Sequence, residues 1–146
     1  MRRRINTIQP EFVELMPSPL QPGILYISQK YRTASHLCAC GCGERVVTPL
    51  SQSRWKVVCN SSGVSLYPSI GNWNYACRSH YWILHSKIEW SGQLSARRVS
   101  RIQRRDRKDR ESEIETINRA KSEEVEVEGI WQRLRTVIFR LAARFL

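Results

Sequence analysis

The chain has 146 residues, 41% of them hydrophobic, and a formal charge of +11 with a pI near 10.0. That length sets one domain, or one domain with a tail, around a real but modest core. The charge points to an anionic partner such as nucleic acid, anionic lipid or an acidic protein, but much of it lies in "ARRVSRIQRRDRKDR" (96–110) and so describes a segment more than a fold.

The N-terminal "MRRRINTIQPEF" has basic residues with no apolar run behind them, so no signal peptide is expected. No stretch reads as long and apolar enough to span a bilayer. A reducing cytosol is the expected setting, where clustered cysteines bind metal or react far more often than they form disulfides.

Residues 1–22 read as an arm, an alternating "EFVEL" followed by Pro17, Pro19 and Pro22. Residues 23–95 read as a compact β-rich body. "GILYIS", "ERVVTPL", "WKVVC", "VSLYPS" and "HYWILHSKIEW" are its expected strands, separated by Ser, Asn, Gly and Pro clusters. Trp55, Trp73, Trp82 and Trp90 fall here, and aromatics at that density are expected to form the core. Residues 96–146 open with a charged stretch that reads as a solvated helix or linker. Asp106 and Asp109 interrupt its basic run and no aromatic interleaves for base stacking, so no specific nucleic-acid partner is expected. From residue 130 the pattern changes. Ile130, Leu134, Val137, Leu141 and Phe145 recur at three- and four-residue steps, with Arg133, Arg140 and Arg144 toward other faces. This predicts an amphipathic helix that docks on the body, pairs with a partner helix, or lies peripherally on an anionic membrane.

"HLCACGCGE" (36–44) packs three of the five cysteines into five residues. Zinc takes four ligands in a tetrahedron, usually offered as two short pairs of Cys or His. Cys38 and Cys40 make one pair, and Gly41 and Gly43 let the backbone curl round one ion. "NYACRSHYW" supplies Cys77 and His80 as a second, with Cys42 a fifth ligand able to displace either Cys38 or His80. Which four of these five bind is open at this level. Cys59, in no pair, is expected to be a buried structural thiol. The expected fold is α+β and mostly β: a small zinc-stabilised β-rich domain, then a charged helical tail ending in the amphipathic helix.

"TASHLCACGCGERVVTPL", "SLYPSIGNWNYACRSHYWI" and "IEW" together resemble a small bacterial family of unknown function. Its signature is H-L-C-x-C-G-C-G-E, S-I-G-N-W and C-R-S-H-Y-W, and the match runs over roughly residues 12–95. "CACG" is also similar to the short zinc knuckle of SEC-C motifs, though Cys42 departs from that pattern. Genes of the resembled family often sit beside ubiquitin-like conjugation cassettes with E1- and E2-like enzymes. The resemblance implies a zinc-bearing serine hydrolase that matures a ubiquitin-like precursor or removes the modifier from its targets.

A serine peptidase needs a hydroxyl, a histidine base in reach, a group that orients the base, and an oxyanion hole. The histidines are His36, His80 and His85. His36 and His80 flank the cysteine motifs, so a shared metal would bring them together. His85 reads as a surface residue of an alternating strand. Ser69 in "PSIGNW" is the first nucleophile, on a tight turn whose N–H groups suit an anion, and Ser79 is the second. Asn72, Asn74 and Glu44 are available to orient a histidine or serve as oxyanion donors. Cys38, Cys40, Cys42 and Cys77 are taken as the metal ligands and Ser69, His80 and His36 as the catalytic set. The alternative is a non-catalytic module with structural zinc that binds a ubiquitin-like protein or a conjugation enzyme.

Overall fold

The computed structural model describes residues 3–51, 54–92 and 94–142, with side chains described through Gly129 and at Trp131 and Arg135 beyond it. The chain divides into two compact units, Met1–Ser100 and Arg101–Leu146. The first holds eight strands, β1 (Gln9–Phe12), β2 (Ile24–Ser28), β3 (Thr33–Leu37), β4 (Arg45–Pro49), β5 (Lys56–Asn60), β6 (Gly63–Gly71), β7 (His80–Leu84) and β8 (Lys87–Trp90). They form two four-stranded sheets, β1-β2-β3-β4 and β5-β6-β7-β8. All neighbours are antiparallel except β1 and β2, which run parallel. The protein is mostly β with one helix, α1 (Ala96–Ala142).

The two sheets share one core. Leu25, Ile27, Ala34 and Val46 from the first meet Val64, Leu66, Ile70, Tyr81, Ile83 and Ile88 from the second. Strand alternation explains the selection. Tyr81 and Ile83 of β7 point inward, so His80 and Trp82 take the other face of that sheet. The core is largely aliphatic, and the four indoles expected to build it are only half-buried. Trp55 and Trp90 pack on its rim.

The N-terminal segment belongs to this body. Residues 3–22 carry β1 and bury Ile8 and Leu20. Ile5 N–H donates to Ala39 O at 2.9 Å, and Ile88 N–H to Asn6 O at 2.8 Å. "HYWILHSKIEW" is a hairpin rather than one strand. Its turn residues His85 and Ser86 have φ of 50° and 62°, values normally left to Asn or Gly. Neighbours hold them there: His85 N–H donates to Ser65 Oγ at 3.0 Å, and Val64 N–H donates to Ser86 Oγ at 3.1 Å while its carbonyl accepts from Ser86 N–H at 2.8 Å. His85 is exposed, as expected, but on a turn.

The charged stretch and the terminal stretch lie in one continuous helix of 47 residues. Ile114, Ile117, Val125, Val127 and Trp131 are exposed on it. The apolar stripe read at Ile130, Leu134, Val137, Leu141 and Phe145 lies outside the described side chains. No helix among the described residues is long and apolar enough to cross a membrane.

Candidate active site and thiolate cluster

β6 changes register against β7 where the site begins. Leu66 pairs with Ile83 and Ile70 with Tyr81, so β6 uses four residues where β7 uses two. The two extra residues keep the inward–outward parity, and Ile70 still faces the core. Pairing with β5 has ended at Tyr67. Ser69 therefore stands on a stretch of backbone free of the β5 ladder. Its Oγ lies 3.0 Å from Nε2 of His80 on β7.

His80 is on the outer face of its sheet, yet only 8% of it is exposed. Two indoles cover it. The ring centroid of Trp73 is 4.9 Å away and that of Trp82, two residues along β7, is 5.2 Å away. Trp73 comes this close because residue 71 is glycine: a Cβ there would sit 2.4 Å from the indole. Burial holds the imidazole below its ordinary pKa, partly offset by the Gly92 backbone. Nδ1 is buried with no hydrogen-bond partner among the described residues. A cavity of about 160 Å³ lies between β4 and the segment after β6, lined by residues including Val47, Ile70, Gly71, Trp73 and Tyr75 but by neither Ser69 nor His80.

The cysteines gather on the other side of the β6–β7 connection. The segment between β3 and β4 folds into a knuckle closed by Cys38 N–H to Glu44 O at 2.8 Å, with Gly41 N–H turned back on Cys38 O at 2.9 Å. Gly41 has φ of 79°, and a Cβ there would lie 2.6 Å from the Arg3 carbonyl oxygen, so both conformation and space require glycine. Cys77 arrives from the connection that follows β6. The Sγ atoms of Cys38, Cys40, Cys42 and Cys77 lie within 4.8 Å of one another. Cys38 Sγ is 3.4 Å from Cys40 Sγ and 4.0 Å from Cys77 Sγ. Four sulfurs bound to zinc at ~2.3 Å stand ~3.8 Å apart in a tetrahedron, so the donor set fits such an ion. Burial pushes the Cys40 and Cys42 thiols up. It pushes Cys77 up as well, but hydrogen bonding with Ser79 and with the neighbouring thiols outweighs it and brings Cys77 down to about 7.

The remaining sequence candidates fall elsewhere. His80 turns to Ser69 and leaves the four-sulfur set to the cysteines. His36 is fully buried on β3, its Nε2 2.8 Å from the Tyr81 hydroxyl, and burial lowers its pKa to about 4. It meets a core tyrosine rather than a serine. Ser79 Oγ lies 3.1 Å from Cys38 Sγ, at the cluster. Asn72 Nδ2 donates to Ser79 Oγ at 2.9 Å and to Cys38 Sγ at 3.4 Å, which commits the amide to the thiols and withdraws it from the roles expected for it. Glu44 is exposed. Cys59, expected to be buried, is exposed on β5 because the outer edge of that strand faces solvent. The roles of Asn72, Ser79, Trp73 and Trp82 were not read from the sequence. Their position inside "GNWNYACRSHYW" is the one signal that pointed to them.

A serine thus lies within hydrogen-bond reach of a shielded histidine, and the same small β fold carries a four-thiol cluster that could hold a metal ion. Residues 12–91, more than half of the chain, match the family described as "Bacterial ubiquitination-like system serine protease (BubE)". The chain belongs to that family. Neither the curated proteins nor the solved structures provide a match.

Proposed function

We propose that this protein hydrolyses the bond at the C-terminus of a ubiquitin-like protein, either maturing its precursor or releasing it from a conjugate in the manner of a deubiquitinase, with Ser69 as nucleophile and His80 as base. The observation that carries this reading is the 3.0 Å contact between Ser69 Oγ and a His80 ring held between two indoles. The family description supplies the reaction class and the pathway.

Nε2 of neutral His80 takes the Ser69 proton as Oγ attacks the carbonyl carbon. The imidazolium then protonates the leaving amine, and water hydrolyses the acyl-serine by the same proton transfers in reverse. In this reading backbone N–H groups near Ser69 serve the oxyanion. The indoles of Trp73 and Trp82 hold the imidazole in place, and aromatic faces also stabilise the transient cation.

Cys38, Cys40, Cys42 and Cys77 hold a zinc ion in this reading. Four thiolates would make this a structural site, in which the ion would supply folding energy and tie the knuckle after β3 to the β6–β7 connection. Four clustered free thiols suit the cytoplasm, and the partners are the ubiquitin-like protein or its conjugates and the E1- and E2-like enzymes of the pathway.

A fluorophosphonate probe tests the assignment. Folded protein should be labelled at Ser69, and Ser69→Ala should abolish both labelling and cleavage of the precursor at unchanged metal content. The closed four-sulfur cluster also suits a non-catalytic module. That reading is favoured if the folded protein is not labelled yet binds the ubiquitin-like protein.

A further inference from the structure

The thiol cluster and the Ser69–His80 pair are joined by two side chains. His80 directly follows Ser79, and Gly71, which pairs with His80 across the β6–β7 ladder, directly precedes Asn72. Asn72 and Ser79 are each 7% exposed. Asn72 N–H donates to Ser79 O at 2.9 Å, so the two also close the ladder's last rung. Both Asn72 Nδ2 hydrogens are used on the cluster side, at Ser79 Oγ and Cys38 Sγ. Ser79 Oγ completes the link, 3.1 Å from Cys38 Sγ and 3.5 Å from Cys77 Sγ.

These bonds depend on what the sulfurs are. Metal-bound sulfurs are deprotonated acceptors. Ser79 O–H then donates to Cys38 Sγ and accepts from Asn72, and every donor in the chain has an acceptor. Without an ion to hold Cys38 and Cys77 together, the buried hydroxyl and amide lose acceptors fixed in place. A half-satisfied buried network rearranges, and Ser79 of this one directly precedes His80.

We propose that Asn72 and Ser79 are positioning residues that make the Ser69–His80 contact depend on metal at Cys38, Cys40, Cys42 and Cys77, so that the cluster gates the hydrolase centre. The inference rests on the assignment of Ser69 and His80 above. It gives the cluster a role beyond folding: loss of metal from the thiols silences the centre before the sheets come apart.

The test uses the full chain in its metal-loaded form and three readouts: metal content, the ¹⁵N signals of the His80 ring, and the rate of fluorophosphonate labelling. Ser79→Ala removes one oxygen and no packing volume of note. A Ser79→Ala protein that keeps its metal should show shifted His80 signals and at least tenfold slower labelling, and Ser79→Thr, which restores the hydroxyl, should recover both. His80 signals unchanged from the parent at full metal content overturn the proposal. If Ser79→Ala fails to hold metal, stepwise chelation of the parent replaces it. The His80 signals of the paired form must then fall in step with bound metal while far-UV circular dichroism stays constant. Signals that persist without metal, or cooperative unfolding on metal loss, overturn the proposal. Absence of labelling in the loaded parent overturns the serine-hydrolase assignment alone, because the His80 signals report the coupling by themselves.

Discussion

Trp73 rests directly on the backbone of Gly71, two residues before it in the chain, leaving no room for a Cβ at position 71. The same indole shields His80, its ring centroid 4.9 Å from the imidazole. Any side chain at residue 71 must push Trp73 away and open the base to water. Gly71→Ala is therefore expected to cost ~1–3 kcal/mol through overpacking and to slow fluorophosphonate labelling of Ser69 at least tenfold, with metal content unchanged. Thermal melts, metal analysis and labelling rates on one preparation check this. A Gly71→Ala protein labelled at the parental rate contradicts the shielding role of Trp73.

The pH dependence follows from the same burial. His80 acts as a base only when unprotonated, and burial holds its pKa below the ordinary 6.5, with Gly92 offsetting part of the effect. The labelling rate should stay level through neutrality and fall on acidification, with a midpoint below pH 6.5. Trp73→Ala lets water reach the ring, removes part of the desolvation and moves that midpoint upward. Rates measured from pH 4.5 to 8, with circular dichroism confirming the fold at each point, decide it. A parental midpoint at or above 6.5 contradicts the assignment.

The cysteines separate into two classes. Cys38, Cys40, Cys42 and Cys77 share one cluster, whereas Cys59 stands exposed on an edge strand. Loss of a ligand from a closed structural site removes binding energy that is also folding energy. Cys40→Ser and Cys77→Ser should lose their metal and on the order of several kcal/mol of stability, whereas Cys59→Ser should stay within ~0.5 kcal/mol of the parent, as surface changes do. One zinc per chain is the expected content of the parent and of Cys59→Ser. Elemental analysis and denaturant melts separate the classes, and equal behaviour of all three variants refutes the division.

Five stretches rich in β-formers were legible as strand material, because alternation and turn residues are local signals. β1 was not, since it contains Pro10 and lies next to a proline-rich run; parallel pairing with β2 is a tertiary matter. The His85–Ser86 turn carries neither Gly nor Asn, so nothing local announced it, and its positive φ values are held by Ser65 and Val64 from another strand. Four cysteines at knuckle and C-x-x-H spacings were readable as ligand material, but the choice between His80 and Cys42 was not. It depends on the β6 register shift that brings Ser69 to His80. Asn72 reads as a catalytic amide from its place beside "SIG". Only the fold shows its hydrogens directed at Cys38 and Ser79.

The helix is expected to be dispensable for chemistry. Ser69, His80, Trp73, Trp82 and the four clustered cysteines all lie in the unit Met1–Ser100, which has its own core of aliphatic side chains and Tyr81. The helix exposes Ile114, Ile117, Val125, Val127 and Trp131 along its described length, apolar surface that favours association. A chain ending at residue 110 should retain its metal, melt as one cooperative unit and be labelled at Ser69 within about threefold of the parental rate, the scale on which a remote deletion leaves local geometry intact. Self-association, or binding to a partner or to anionic liposomes, should be weaker than for the full chain. Sedimentation and liposome flotation of both proteins measure this. Loss of metal or precipitation on truncation would place the helix in the folding unit and refute the division at residue 100.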